Sequence, residues 1–108
     1  MTAGDDGLTI EDDPAASLYA ARVGDRLAGS AQYRLKPGRI VFTHTEVDPA
    51  FEGHGIGGRL AAGALDDARR RGLKVVPICP FIRAYIERHP AYADLLDAPL
   101  DRYRSAGA

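Results

Sequence analysis

At 108 residues, with 45% hydrophobic and 27% charged side chains, the chain has room for one domain with a single core and none for a second. A formal net charge of -1 supplies no general attraction to nucleic acid or to acidic membrane surfaces. One cysteine excludes an intramolecular disulfide and a cysteine-based metal cluster, and no apolar run approaches the roughly 20 residues of a membrane-spanning helix.

The acidic opening MTAGDDGLTIEDD lacks a basic segment followed by an apolar one, so it does not read as a secretory signal and a cytoplasmic location is the expectation. Its GLTIE, at 7 to 11, is a candidate strand. SLYAARV (17 to 23) and RLAGSAQYRL (26 to 35) flank Gly24-Asp25, a pair that favours a tight hairpin. A second turn, KPG at 36 to 38, leads into RIVFTHTEV (39 to 47), rich in β-branched and aromatic residues. An antiparallel meander is expected.

Past DPAFEGHGIGG the period changes. Ile56, Leu60, Ala61, Ala64, Leu65 and Ala68 form one apolar stripe, opposite Arg59, Asp66, Asp67, Arg69 and Arg70. The spacing predicts a helix from about residue 55 to a glycine cap at Gly72, behind a basic last turn. LKVVPIC (73 to 79) reads as a short buried strand, PFIRAYIERH (80 to 89) as a short helix with Pro80 near its start, and PAYADLL as one further turn. Residues 100 to 108 read as a frayed tail. The whole is one α/β (α+β) domain, residues 1 to 108.

The glycines of EGHGIGGRL, at 53, 55, 57 and 58, need a reason, because glycine costs roughly 1 kcal/mol relative to alanine inside a helix. Unpaired amides at a helix N-terminus favour an anion, and glycine lets a phosphate approach the backbone closely. A tight turn alone is the plainer explanation. The segment matches GxGxxG literally, yet a dinucleotide fold would need a βαβαβ opening and an acidic residue about 20 positions on. Antiparallel strands precede the loop here, and the next strand ends in Ile78-Cys79-Pro80. No Gly-Lys-Ser/Thr follows, so a P-loop fails as well.

A strand, a loop of the form Gln/Arg-x-x-Gly-x-Gly/Ala, a helix, a strand and a short helix resemble the coenzyme-binding core of the GNAT N-acetyltransferase superfamily. HTEVDPAFEGHGIGGRLAAGALDDARRRGLKVVPICPFI, with HP shortly after, is similar to its compact single-domain branch. The resemblance covers about residues 17 to 96. It implies a mainly antiparallel twisted sheet, a long helix after the glycine loop, and transfer of acetyl from acetyl-coenzyme A to an amine on a protein or a small molecule. It implies coenzyme contacts from Val47, Gly53, His54, Gly55, Ile56, Gly57, Gly58, Arg59, Cys79, Pro80 and Phe81, the loop holding the pyrophosphate. The pantetheine arm would lie between splayed strands at 39 to 47 and 73 to 79, and Pro77, unable to donate to a ladder, suits such a break or a simple edge. One departure is Glu52, where the superfamily carries Gln or Arg; Arg59 and His54 are the nearby cations.

Transfer to an amine needs a proton acceptor, since roughly one lysine-like amine in 2,500 is neutral at pH 7. His44 and Glu46, two apart on a strand, share a face near the loop, and either serves as base or simply forms an exposed pair. Cys79 stands at a helix N-terminus, where thiols are reactive, and is an acyl carrier, a coenzyme contact or a small buried hydrophobe. The superfamily often places a tyrosine on the last helix to protonate the departing thiolate; AYIERHP puts Ile86 at that position and Tyr85 one before it. His89 suits the helix end as a cation.

His44-x-Glu46 with Pro77 and Cys79 lacks the second cysteine of a zinc deaminase, so no metal is expected. Arg69-Arg70-Arg71 reads as a solvated helix end, not a nucleic-acid patch. The remaining partners are acetyl-coenzyme A and an amine acceptor, with the chain as monomer or weak homodimer and no membrane contact. A coenzyme A binding or sensing module without turnover is the alternative function, and an interaction domain with an empty loop a third.

Overall fold

The computed structural model describes residues 7–107, with side chains through Tyr103. Four strands, β1 (Leu8–Asp13), β2 (Leu18–Val23), β3 (Arg26–Lys36) and β4 (Arg39–Val47), form an antiparallel meander. A 3-10 turn at Pro49–Phe51 leads to α1 (Ile56–Arg70), then β5 (Lys74–Pro77) and α2 (Pro80–Arg88). A second 3-10 turn, Pro90–Leu95, precedes α3 (Leu100–Gly107). The sheet order is β1-β2-β3-β4-β5, and β5 is parallel to β4 because α1 carries the chain back across the sheet between them. The expected α+β class, mainly antiparallel with a long helix after the glycine loop, is the one observed.

α1 buries the stripe Ile56, Leu60, Ala61, Ala64, Leu65 and Ala68 against inward residues of the sheet, among them Tyr19, Ala31, Ile40 and Phe42. Its C-terminus closes in a Schellman motif: the Leu73 amide donates to the Ala68 carbonyl at 2.9 Å and the Gly72 amide to that of Arg69 at 3.1 Å.

Two expectations need correction. The last strand does not run to residue 79 but stops at Pro77, whose missing N–H ends the ladder at the Phe42–Pro77 rung. Nor is the C-terminal segment without regular structure among the described residues. Residues Leu100–Gly107 are helical and Tyr103 is buried, its carbonyl accepting from Arg83 Nη1 at 3.0 Å. Ala108 lies outside the described residues.

A bulge in β4 decides what the site sees. Gln32 pairs with His44 but Tyr33 pairs with Phe42, so Thr43 is an extra residue. Ahead of it Ile40 and Phe42 face the core; beyond it Thr45 and Val47 take the inner side, and His44 and Glu46 turn out to solvent. An uninterrupted strand would have driven both titratable side chains into the core.

Candidate functional site

β4 continues to Val47 after β5 has ended, so the two strands part beyond Phe42. The last main-chain tie is the Cys79 amide, which donates to the Phe42 carbonyl at 2.9 Å. Beyond it, Thr45 Oγ1 and Cys79 Sγ meet at 3.2 Å, joining β4 to the first residue before α2. A cleft of about 430 Å³ opens past this tie. Thr45, Glu46 and Val47 line it from β4, Phe51 to Gly58 from the loop and first turn of α1 (His54 excepted), and Phe81 from α2.

The loop is built to end at a bare helix terminus. Asp48 closes the 3-10 turn by accepting from the Ala50 amide at 2.8 Å, and the Arg26 guanidinium sits 4.9 Å above the Phe51 ring. Gly55, the N-cap of α1, has φ 72°, a left-handed conformation that glycine takes without steric cost. Having no side chain, it cannot cap the helix, and the first turn carries no acidic residue. The amides of that turn thus face the cleft with the positive end of the helix dipole behind them, an arrangement suited to a phosphate.

Gly57 has a separate reason to be glycine. A Cβ there would stand 2.7 Å from Phe81 Cζ, so the missing side chain is what lets α2 close on α1. At Gly58 a Cβ would meet only Tyr85 Cε1, at an ordinary 3.8 Å. Packing therefore accounts for one of the two glycines of the first turn and leaves the other unexplained by sterics.

Among the sequence candidates, Glu46, Val47, Gly53, Gly55, Ile56, Gly57, Gly58 and Phe81 come together around the cleft, and Glu52 lines it too. Cys79 is 2% exposed and reaches the cleft's floor through Thr45. His44 Nε2 lies 3.0 Å from Glu46 Oε2, with side chains 57% and 63% exposed, so the pair is solvated. Glu46 and Val47 also line an adjoining hollow of about 270 Å³, walled by Leu27 to Ser30, Asp48 and Pro49.

Others stand apart. His54 lines a different cavity, with Leu8, Val23 and Phe51, on the other side of the loop. Arg59 and Pro80 are exposed beside the cleft without lining it. Tyr85 packs its ring on His89 at 4.0 Å, away from the cleft, and Ile86 points into the core. Thr45 went unnoticed in the sequence; its place two residues after a bulge has no local signature.

A larger cavity, about 680 Å³, lies at the other end of α1. Its polar groups are occupied with one another. Tyr19 Oη donates to Asp67 Oδ2 at 2.5 Å, and Arg71 Nη1 approaches Asp12, Tyr19 and Asp67 at 3.3–3.4 Å. That network joins β1 and β2 to α1 and leaves the cleft as the better candidate. No group of three or more His, Cys, Asp or Glu among the described residues is placed to hold a metal ion, and no helix among them is long and apolar enough to cross a membrane.

Residues 18–95 match the family model described as GCN5-related N-acetyl-transferase. The chain is 33% identical over 87 residues to mouse protein NATD1, the match covering 77% of each. Its fold is similar to the NMR solution structure of a GCN5-like protein from Staphylococcus aureus, with TM-score 0.67 and 24% identity over 86% of this chain and 91% of that one. The match spans the parting strands, the glycine loop and the bare end of α1 alike, and the chain belongs to the GCN5-related N-acetyltransferase family.

Proposed function

We propose that the chain transfers acetyl from acetyl-coenzyme A to an amine, and that the cleft between β4 and α2 is where this occurs. The observation that carries the reading is the parting of β4 from β5 beyond Phe42, directly beside the uncapped N-terminus of α1. The donor set fits this ligand: amides of the first turn suit a diphosphate, while Val47, Phe51, Ile56 and Phe81 give an apolar wall for a pantetheine arm. Glu52 is an unfavourable contact, a carboxylate in the loop beside the proposed diphosphate position.

Acetyl-coenzyme A, when bound, supplies an activated acyl carbon. The chain's part is to position an amine and take its proton. Glu46 is the residue best placed for this, because it lines both the cleft and the adjoining hollow, and a cationic amine entering through the hollow meets a carboxylate there. His44, 3.0 Å from Glu46, orients that carboxylate and can pass the proton on to solvent. Cys79 and Thr45 brace the floor, and the buried Cys79 serves as a contact rather than as an acyl carrier.

A coenzyme-binding module without turnover is the second reading, favoured by Glu52 and by the lack of a tyrosine hydroxyl among the described residues lining the cleft. Titration calorimetry with acetyl-coenzyme A, then an amine screen, separates the two. Gly58→Glu is the control, because its position accepts a side chain and would place a carboxylate in the first turn. Micromolar binding, roughly -8 kcal/mol, lost in the variant and followed by acetylated product, is expected. Binding without product leaves the module; no binding by the wild-type chain removes both.

A further inference from the structure

Beyond Phe81, the aromatic side of α2 is not used by the chemistry above. Phe81, Tyr85 and His89 recur every four residues and so share a face, which continues past the helix end into Tyr92. Phe81 lines the cleft, and Tyr85 sits beside the first turn of α1, its Cε1 3.8 Å from where a Gly58 Cβ would be. His89 stacks on Tyr85 with ring centroids 4.0 Å apart and planes 19° from parallel.

This stack is held in place from several sides. His89 Nδ1 bonds the Tyr85 carbonyl at 2.9 Å, and Tyr92 packs at 6.0 Å from Tyr85 while donating its hydroxyl to Asp66 at 2.8 Å. Tyr85 is half-buried and His89 exposed. Two rings whose orientation is fixed in advance, with the outer one open to water, form a shelf for a flat heterocycle.

We infer that the Tyr85–His89 shelf receives the adenine of the coenzyme, stacking it on His89 while the diphosphate lies at the first turn of α1. The inference rests on the acetyl-coenzyme A reading and adds to it a subsite for an adenine nucleotide. The shelf adjoins the first turn of α1 through Tyr85, whose Cε1 would lie 3.8 Å from a Gly58 Cβ, so a diphosphate at that turn has the shelf as its neighbour. Gly58 puts no side chain between them, which gives the second glycine of the first turn a role. Tyr85 then positions the His89 ring from behind and is not the acid that protonates a departing thiolate.

The test is titration calorimetry of wild type, His89→Ala and Tyr85→Phe with three probes: coenzyme A, 3′-phospho-ADP and 4′-phosphopantetheine. Base stacking of this kind changes affinity by fivefold or more, at roughly 1 kcal/mol and upward per base. His89→Ala is expected to weaken coenzyme A and 3′-phospho-ADP by at least that factor and to leave 4′-phosphopantetheine unchanged; Tyr85→Phe keeps the ring and leaves all three unchanged. Equal weakening of all three probes by His89→Ala means a structural role and overturns the inference, as does no change in any. Failure of wild type to bind coenzyme A and 4′-phosphopantetheine overturns the acetyl-transfer reading itself, and the shelf falls with it.

Discussion

Thr45 Oγ1 and Cys79 Sγ stand 3.2 Å apart and connect β4 to α2 where the strands no longer pair. Valine has threonine's shape without its hydroxyl, so Thr45→Val removes this tie and little else. A net hydrogen-bond contribution is about 1 kcal/mol, and urea denaturation of the variant should show a loss of that order. Cys79 is 2% exposed, so a thiol reagent reaches it only when the cleft floor opens. Alkylation of the native variant should be faster than that of wild type. An unchanged rate would mean that the main-chain bond from Cys79 to Phe42 closes the floor unaided.

Gly57 and Gly58 are neighbours in the first turn of α1 with opposite expectations. Alanine in place of helical glycine gains up to about 1 kcal/mol when nothing obstructs the new methyl. At Gly58 the nearest atom is 3.8 Å away, so Gly58→Ala should raise the urea midpoint. At Gly57 the methyl would meet Phe81 Cζ at 2.7 Å, and Phe81, 36% exposed, must swing from its place on the cleft wall. Gly57→Ala should show no gain in midpoint and should weaken coenzyme binding. A midpoint for Gly57→Ala as high as that for Gly58→Ala would show that Phe81 moves at no cost.

On the acetyl-transfer reading, Glu46→Gln and Cys79→Ala are expected to part company. Losing a general base costs about 10²–10⁴ in turnover, and Glu46→Gln should lose kcat on that scale while its calorimetric coenzyme affinity stays near wild type. His44→Ala added to it should change little more, since two groups acting as one unit are not additive. Cys79→Ala should keep kcat within about tenfold if the amine attacks the thioester directly. A Cys79→Ala variant that binds the coenzyme yet releases no product would instead make the thiol an acyl carrier.

The meander, α1 and the glycine loop were legible because each is written locally. Gly24-Asp25 makes a hairpin, the Ile56-to-Ala68 stripe repeats with the helical period, and Gly72 ends the helix. What stayed hidden depends on partners distant in sequence. The bulge at Thr43 carries no glycine or other marker, yet it turns His44 and Glu46 to solvent and brings Thr45 to Cys79. Tyr103 is buried only because α2 supplies Arg83 and a surface to pack on, so DRYRSAGA alone reads as a polar tail. The glycine run was legible as a loop, but its division of labour was not: Gly57 is required by Phe81, 24 positions on.

Tyr33 joins the core to β1, its hydroxyl donating to Asp12 Oδ1 at 2.6 Å. Burial first, and then the bond and charge of Asp12, push its phenol up from 10.0 to about 12. Burial and Asp66 do the same for Tyr92, also to about 12, and burial raises Tyr19 and Tyr103. A phenol whose folded-state value lies above its unfolded one holds its proton more tightly when folded. Its contribution to stability is then complete below about pH 10 and is lost as the pH rises toward 12. Urea midpoints measured from pH 8 to 12 should therefore be level at first and fall across that upper window. Tyr33→Phe cannot ionise, so the variant should be less stable at pH 8, for want of the bond to Asp12, yet decline less steeply above pH 10. Parallel curves for variant and wild type would show that Tyr33 ionises equally in both states, and that the alkaline loss comes from the other tyrosines.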